Sequence, residues 1–277
     1  MRISSFNINK FCGAYGQPLG GYRNPKNIDF KSKIKEIVED LLNDEDDIVF
    51  LQEFIDNAFI NVLELFDPEQ YTIHTNTDYK KCKSNVVAIT PKDTVWEKEY
   101  SSEDIPLSNK ILKMKAKNKK LEIICFHNTD NKIKDYIDGI FRTKKADIIL
   151  GDFNDEAWIG ELSSNSDYNG LVTNEMITYK PGQTTVDQIF IKKTIDSELI
   201  IFDSVIETYA SDHNILSFEI GALEKDNKYF RNRKSNIPFS LHDSRIQKIE
   251  DLDDTIIFSV DNLFQYKADQ EIIFQGA

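Results

Sequence analysis

Asp152 and Asn154 stand two positions apart at the end of an apolar run, IILGDFND, over residues 148–155. On extended backbone, residues i and i+2 face the same way, so a carboxylate and an amide leave this run side by side. That pair suits a metal ion, or a water and a phosphate. It equally suits a polar turn in which an aspartate caps a following helix. Other apolar runs carry groups of the same kind. Asn7 and Asn9 close RISSFNIN, Glu53 follows Gln52 in DDIVFLQEF, and His127 precedes Asn128 after LEIICF. Asp187 sits among apolar residues in TTVDQIFI, and Asp212 and His213 directly precede NILSFEI. A single polar strand end is ordinary. So many metal- or phosphate-competent groups at strand ends are hard to explain by turns alone.

Such groups need rigid elements to hold them. Residues 2–9 read as a strand, and 28–43 as a helix with Ile34, Ile37, Val38, Leu41 and Leu42 on one face. Residues 46–54 read as a buried strand, and 56–66 as a helix capped by Asp56. From 70 to 127 short strand-like runs follow one another between turns. Ile133, Tyr136, Ile137, Ile140 and Phe141 mark a helix, Ala146 to Leu150 a buried strand, and 156–169 a loop. Three more strands close the pattern at 184–193, 198–207 and 214–220. The order predicts two mixed sheets covered by helices. Gly151 is expected to let the backbone turn or a ligand approach closely.

The long loop at 10–27 is rich in Gly, Pro, Tyr and Asn, and loops of this length often serve function. Its Tyr15, Tyr22 and Arg23 either stack on a base and touch a phosphate, or pack the loop itself. Residues 221–236 read as a linker, and 237–277 as a β-rich extension too short for a confident core of its own. That extension is expected to pack on the main body, pair with another chain, or be a fragment of a larger module.

The bulk composition narrows the class. The chain has 277 residues, 40% hydrophobic and 29% charged, which supports one large α/β domain or two smaller ones. No apolar run approaches the ~20 residues of a membrane span, and the start MRISSFNINK lacks the layout of a secretory signal. The expectation is a cytoplasmic protein with no membrane partner. Cys12, Cys82 and Cys125 are scattered and form no CxxC pair, which argues against a disulfide framework or a structural zinc site. A net charge of −13 argues against gripping nucleic acid by charge alone. It leaves room for an enzyme that meets phosphates locally through a divalent cation. His74 reads as an ordinary strand side chain, and His242–Asp243 as an isolated dipeptide.

Taken in order, FNIN (6–9), LQE (51–53), FHN (126–128), GDFN (151–154), TVDQI (185–189) and SDHN (211–214) resemble the motifs of the endonuclease/exonuclease/phosphatase superfamily. That superfamily includes DNase I-like nucleases, abasic-site endonucleases, deadenylases, inositol-polyphosphate phosphatases and sphingomyelinases. The resemblance spans roughly residues 2–220 and implies a four-layer α/β/β/α sandwich. It implies Mg²⁺- or Mn²⁺-dependent hydrolysis of a phosphate ester. Glu53, Asn7 and Asp212 would hold the metal, Asp152 would activate water, and Asn154 would hold the phosphate. Asp187 would fix the state of His213, which donates to a phosphate oxygen, and His127 would stabilise charge or protonate the leaving oxygen. Asn9 departs from branches that carry an acid there and is read, with Tyr22 and Arg23, as a substrate contact. Abasic-site enzymes commonly carry tyrosine where His127 stands. The expected activity is DNA endonuclease, with RNA or a small phosphate ester as alternatives and an inactive binding scaffold as a third. Nucleic acid is the expected partner, with a protein partner or self-association through residues 237–277.

Overall fold

The computed structural model describes residues 1–14, 28–55, 65–76, 83–99, 108–117, 121–165, 167–173, 175–195 and 200–221, with the strands of 239–275. Most of the helix expected over 56–66, the loop residues Tyr15, Tyr22 and Arg23, and His242–Asp243 lie outside the described residues. The chain divides into two units, Met1–Leu223 and Glu224–Ala277.

In chain order the first unit carries β1 (Arg2–Asn7), α1 (Ile28–Leu41), β2 (Ile48–Phe54), β3 (Tyr71–Thr75), β4 (Asn85–Pro91) and β5 (Trp96–Lys98). Then come β6 (Ile111–Ala116), β7 (Leu121–His127), α2 (Asn131–Thr143), β8 (Ile148–Asp152) and α3 (Glu156–Asn165). It ends with β9 (Tyr168–Gly170), β10 (Asp187–Lys192), β11 (Ile200–Ile206) and β12 (Ile215–Ile220). Two six-stranded sheets result, ordered β11-β12-β1-β2-β4-β3 and β5-β6-β7-β8-β10-β9. Each is mixed: β1 runs parallel to β2, β7 runs parallel to β8, and the other pairings are antiparallel. The expected four layers are present.

Strand alternation makes the layers. Ile3, Ile48, Phe50, Leu112, Met114, Ile123, Cys125, Ile148, Leu150 and Ile189 fill the space between the sheets. Their neighbours in sequence face outward. Phe6, Val49, Leu51, Val87 and Ile89 pack under Ile34, Val38 and Leu41 of α1. Ile124, Phe126, Ile149 and Phe190 pack under Ile133, Ile137, Ile140 and Phe141 of α2 and Trp158 and Ile159 of α3. A sheet buried on both faces needs the near-continuous apolar runs seen in the sequence.

The loop expected at 156–169 is instead α3 and β9. Asp155 starts the helix by accepting the Trp158 amide at 3.0 Å. The buried Trp158 and Ile159 then anchor its short apolar face. Gly160, Ser163, Ser164 and Asn165, weak helix formers, lie on a helix held by two residues. In the second unit, β13 (Phe239–Ser240), β16 (Asn262–Lys267) and β17 (Gln270–Gln275) form an antiparallel sheet. Strands β14 (Ile246–Leu252) and β15 (Thr255–Val260) form a hairpin. No helix among the described residues is long and apolar enough to cross a membrane.

Candidate active site

The inward-facing positions of the central strands do not stay apolar to the end. On β8 the inward series is Ile148, Leu150, Asp152; on β7 it is Ile123, Cys125, His127. On β10 it is Asp187, Ile189, Ile191, and on β1 it is Ile3, Ser5, Asn7. Register then aligns the polar ends, because His127 pairs with Asp152 and Asp152 with Asp187 across the second sheet. The Asn7 amide crosses from the first sheet and donates to Asp152 Oδ2 at 2.8 Å. The period-two pattern that builds the core thus places four polar groups together at one end of it.

Two features hold Asp152 in place. Gly151 has φ of 136°, and a Cβ there would lie 2.0 Å from the Phe126 carbonyl oxygen. Glycine is required by the neighbouring strand, rather than by a turn or a ligand. Phe153, facing the other way, is clasped by Phe126, Trp158 and Phe190 at ring separations of 4.7, 5.0 and 5.5 Å. Asn154 follows with φ of 54° and lies exposed; its backbone N–H donates to Asp152 Oδ1 at 2.9 Å, and its side-chain amide donates to the Asn128 carbonyl.

Glu53 breaks the alternation to reach the site. The register between β2 and β4 shifts at Leu51/Phe54, and Glu53 sits at φ of 57°. A left-handed glutamate is strained, and here the strain turns the carboxylate toward the centre. Its Oε1 lies 3.6 Å from His127 Nε2, and its Oε2 lies 3.0 Å from the Lys10 ammonium. Asn9, at φ of 43°, is buried and donates its side-chain amide to the Gly13 carbonyl. Its backbone N–H donates to Asn7 Oδ1 at 3.0 Å. With its carbonyl, which accepts the Cys12 amide at 2.8 Å, these bonds hold the turn after β1.

Two buried imidazoles approach Asp152 Oδ2, His127 Nε2 at 3.7 Å and His213 Nε2 at 4.0 Å. His213 Nδ1 is 2.7 Å from Asp187 Oδ2. Burial pulls His213 down, but the Asp187 contact, with Asp152 and Asp212 beyond it, raises it to about 9. His127 goes the other way. Burial, then the Lys110 ammonium, His213 and Lys10, hold it well below the usual histidine range. Asp152 is pushed up to about 7 by burial and by the Asp187 charge. Burial also raises Asp212, against the attraction of His213, and the Glu53 charge adds to the rise.

The structure therefore gathers Asn7, Glu53, His127, Asp152, Asp187, Asp212 and His213 around one centre. It also supplies residues to which the sequence reading assigned no role, one of them, Ser211, inside the SDHN motif. Thr178 Oγ1 accepts the Val186 and Asp187 amides at 3.0 Å each. Ser211 Oγ donates to the Asn7 carbonyl at 2.6 Å and accepts the His213 amide at 3.2 Å. The Lys180 ammonium donates to the carbonyls of Thr208, Ser211 and His213, and the Tyr179 ring lies 4.9 Å from the His213 ring. Lys110 Nζ lies 3.4 Å from His127 Nδ1. A threonine before a strand, or a lysine opening one, carries no sequence signal of such a role.

The donor set fits a hard divalent cation. Glu53 Oε1 and Asp152 Oδ2 both approach His127 Nε2, at 3.6 and 3.7 Å, and the Glu53 charge also reaches Asp212, so three carboxylates face this region. The tightest group of ligating atoms is Asp152, Asp187 and His213, within 4.8 Å of one another. Within it, Asp187 and His213 already bind each other, which leaves Asp152, with Glu53 and Asp212 outside that group, as the carboxylates that could hold an ion.

No family model matches the chain, and no curated protein matches it in sequence. Solved structures do match in shape. The TDP2 of D. rerio complexed with single-strand DNA product superposes with TM-score 0.55 at 16% identity, covering 80% of this chain and 99% of that one. The endonuclease domain of TRAS1, a telomere-specific non-LTR retrotransposon, gives TM-score 0.53 at 17% identity, covering 80% and 99%. The endonuclease/exonuclease/phosphatase from Bacteroides vulgatus gives 0.50 at 16%, covering 79% and 98%. The fold is thus the DNase I-like fold of endonuclease/exonuclease/phosphatase proteins.

Proposed function

We propose that the chain is a divalent-metal-dependent phosphodiesterase, and that its substrate is DNA, cut as by an endonuclease. The observation that carries this reading is Asp152. It is buried, oriented by the Asn7 amide and the Asn154 backbone N–H, and raised to about 7. A carboxylate near neutrality is matched to taking a proton from water. The two structural neighbours named for DNA work, one of them holding a single-strand DNA product, support nucleic acid as the substrate class.

Asp152 accepts the proton of a water that attacks phosphorus, and the bond to the leaving oxygen breaks in line. His213 faces the phosphate as a cation kept charged by Asp187, and so meets the negative charge that develops. Its Nε2–H can pass a proton to the leaving oxygen. His127 is neutral and acts there as a hydrogen-bond donor. Asn154 places its exposed side chain at the rim of the site, beside the phosphate. Glu53 and Asp212, with Asn7 beside them, would hold Mg²⁺ or Mn²⁺. The ion supplies Lewis-acid charge to the phosphate oxygens.

The test is cleavage of supercoiled plasmid, single-stranded DNA and RNA with Mg²⁺ or Mn²⁺, with EDTA controls. We expect plasmid nicking that EDTA abolishes and that Asp152→Asn lowers about a thousandfold or more. Undiminished cleavage by Asp152→Asn would remove Asp152 as the base. Failure on every polymer with turnover of an inositol phosphate would replace the substrate class.

A further inference from the structure

Lys110 stands at the foot of β6, one residue before Ile111, and is largely buried. Two oriented contacts hold its ammonium. Nζ donates to Ser84 Oγ at 2.7 Å and lies 3.4 Å from His127 Nδ1. An ammonium has three donors and no acceptor. The Nδ1 it faces must therefore offer a lone pair, and a neutral imidazole in that state carries its single proton on Nε2. That nitrogen is the one 3.6 Å from Glu53 Oε1 and 3.7 Å from Asp152 Oδ2.

We propose that Lys110 is a positioning residue for His127: its ammonium, braced by Ser84, fixes the imidazole ring and its tautomer so that the Nε2–H points into the reaction centre. The alternative tautomer would put a hydrogen on Nδ1 against a cation and a lone pair on Nε2 against two carboxylates. Both contacts would repel. The arrangement inverts the usual carboxylate support of a catalytic histidine, which this same site uses at Asp187–His213. Among the described residues no carboxylate contacts His127 Nδ1. The groups around the ring are Lys110 on Nδ1, Glu53 and Asp152 on Nε2, and the more distant Lys10 and His213. Burial lowers Lys110 to about 8, against the pull of Glu53 and Asp152, so it remains mostly charged near pH 7 and can donate.

The contribution to turnover rests on the proposed phosphodiesterase reading; the tautomer does not. The experiment therefore has two readouts on the full chain. The first is imidazole ¹⁵N NMR at pH 7, comparing the unaltered protein with Lys110→Met and Lys110→Arg, and with His127→Asn to assign the signals. We expect His127 to show a protonated Nε2 and a hydrogen-bonded, unprotonated Nδ1. In Lys110→Met the Nδ1 resonance should move to the position of a free imine nitrogen, and in Lys110→Arg it should stay near its original place. A protonated Nδ1 in the unaltered protein, or an Nδ1 signal unmoved by Lys110→Met, overturns the proposal, whether or not any substrate is cleaved. The second readout is plasmid nicking. We expect kcat to fall about tenfold in Lys110→Met, with KM little changed and most of the loss restored by arginine. A kcat unchanged in Lys110→Met, with the NMR shift present, overturns the contribution to turnover. Loss of all activity in every form, with the NMR result intact, overturns the substrate reading instead.

Discussion

His127 and His213 are both buried, and both bring Nε2 within 4.0 Å of the same oxygen, Asp152 Oδ2. Their opposite edges meet opposite charges. His213 Nδ1 meets Asp187 at 2.7 Å, and His127 Nδ1 meets the Lys110 ammonium at 3.4 Å. One imidazole is held as a cation up to about pH 9, the other as a neutral ring well below the usual range. Burial penalises the charged form of both alike. The difference therefore lies in the surrounding charges, first among them the partner on the far nitrogen. It gives one site a charged and an uncharged imidazole beside the same carboxylate oxygen, and it is the partner residues, rather than the histidines, that set the difference.

Between the two histidines, the larger expected effect comes from removing the partner that sustains charge. Asp187→Asn leaves burial unopposed on His213, so the imidazole should lose its proton at lower pH. The sign follows from the raised pKa. The folded state holds the proton more tightly than the unfolded chain, so this pair stabilises fully below about 6.5 and loses its contribution as pH rises through about 9. We expect a hundred- to thousandfold fall in kcat for Asp187→Asn at neutral pH. The alkaline limb of the pH–rate profile should move from near 9 to lower pH. A profile with the limb in its original place would mean that His213 is not charged by Asp187.

His127→Asn sharpens the other half of the comparison. A neutral ring that only donates through Nε2–H can be replaced in part by an amide that also donates. We expect a loss of about ten- to a hundredfold in kcat, with the limbs of the pH–rate profile unmoved. If instead the substitution abolished a limb, His127 would be titrating in turnover, and the contrast with His213 would collapse.

Much of this arrangement was legible in the sequence. The strand-end groups at Asn7, His127, Asp152 and Asp187 extend apolar alternations, and alternation is the signal that survives best without a structure; Glu53 and His213 were found through the ordered motifs that carry the resemblance. The two-sheet sandwich followed from the same runs. What stayed hidden depends on contacts distant in sequence. Lys110 carries no mark of a role in the sequence, and only Ser84 and His127 closing around it give it one. Glu53 reaches the centre only through a register shift and a left-handed backbone, neither of which sequence periodicity encodes. The helix at Glu156–Asn165 was obscured by its own composition, since glycine and serine outnumber the two buried anchors. Asn9 shares its motif with Asn7 but turns away to hold Gly13, so motif membership alone does not specify direction.

The smallest effect concerns a third histidine, which separates burial from catalysis. His74 lies on β3, at the edge of the first sheet, with Nε2 2.9 Å from Thr90 Oγ1. Burial, then the Lys98 charge, lower it to about 4. It shares the direction of His127, with burial and Lys98 as the causes and no carboxylate among them. Here the unfolded chain binds the proton more tightly, at 6.5, than the folded one. Stability from the neutral ring is thus complete above about pH 6.5 and is lost as pH falls toward 4. The full difference corresponds to at most about 3 kcal/mol, and solvent reaching the ring reduces it to about 1–2 kcal/mol. His74→Gln keeps a donor for Thr90 and cannot titrate. Urea unfolding at pH 7.5 and pH 5 should show the unaltered protein losing about 1–2 kcal/mol more than the variant over that interval. Equal losses would show that burial beside a lysine does not suppress protonation in this sheet. The neutral state of His127 would then have to come from its specific contact with Lys110, and the comparison of the two site histidines would rest on that contact alone.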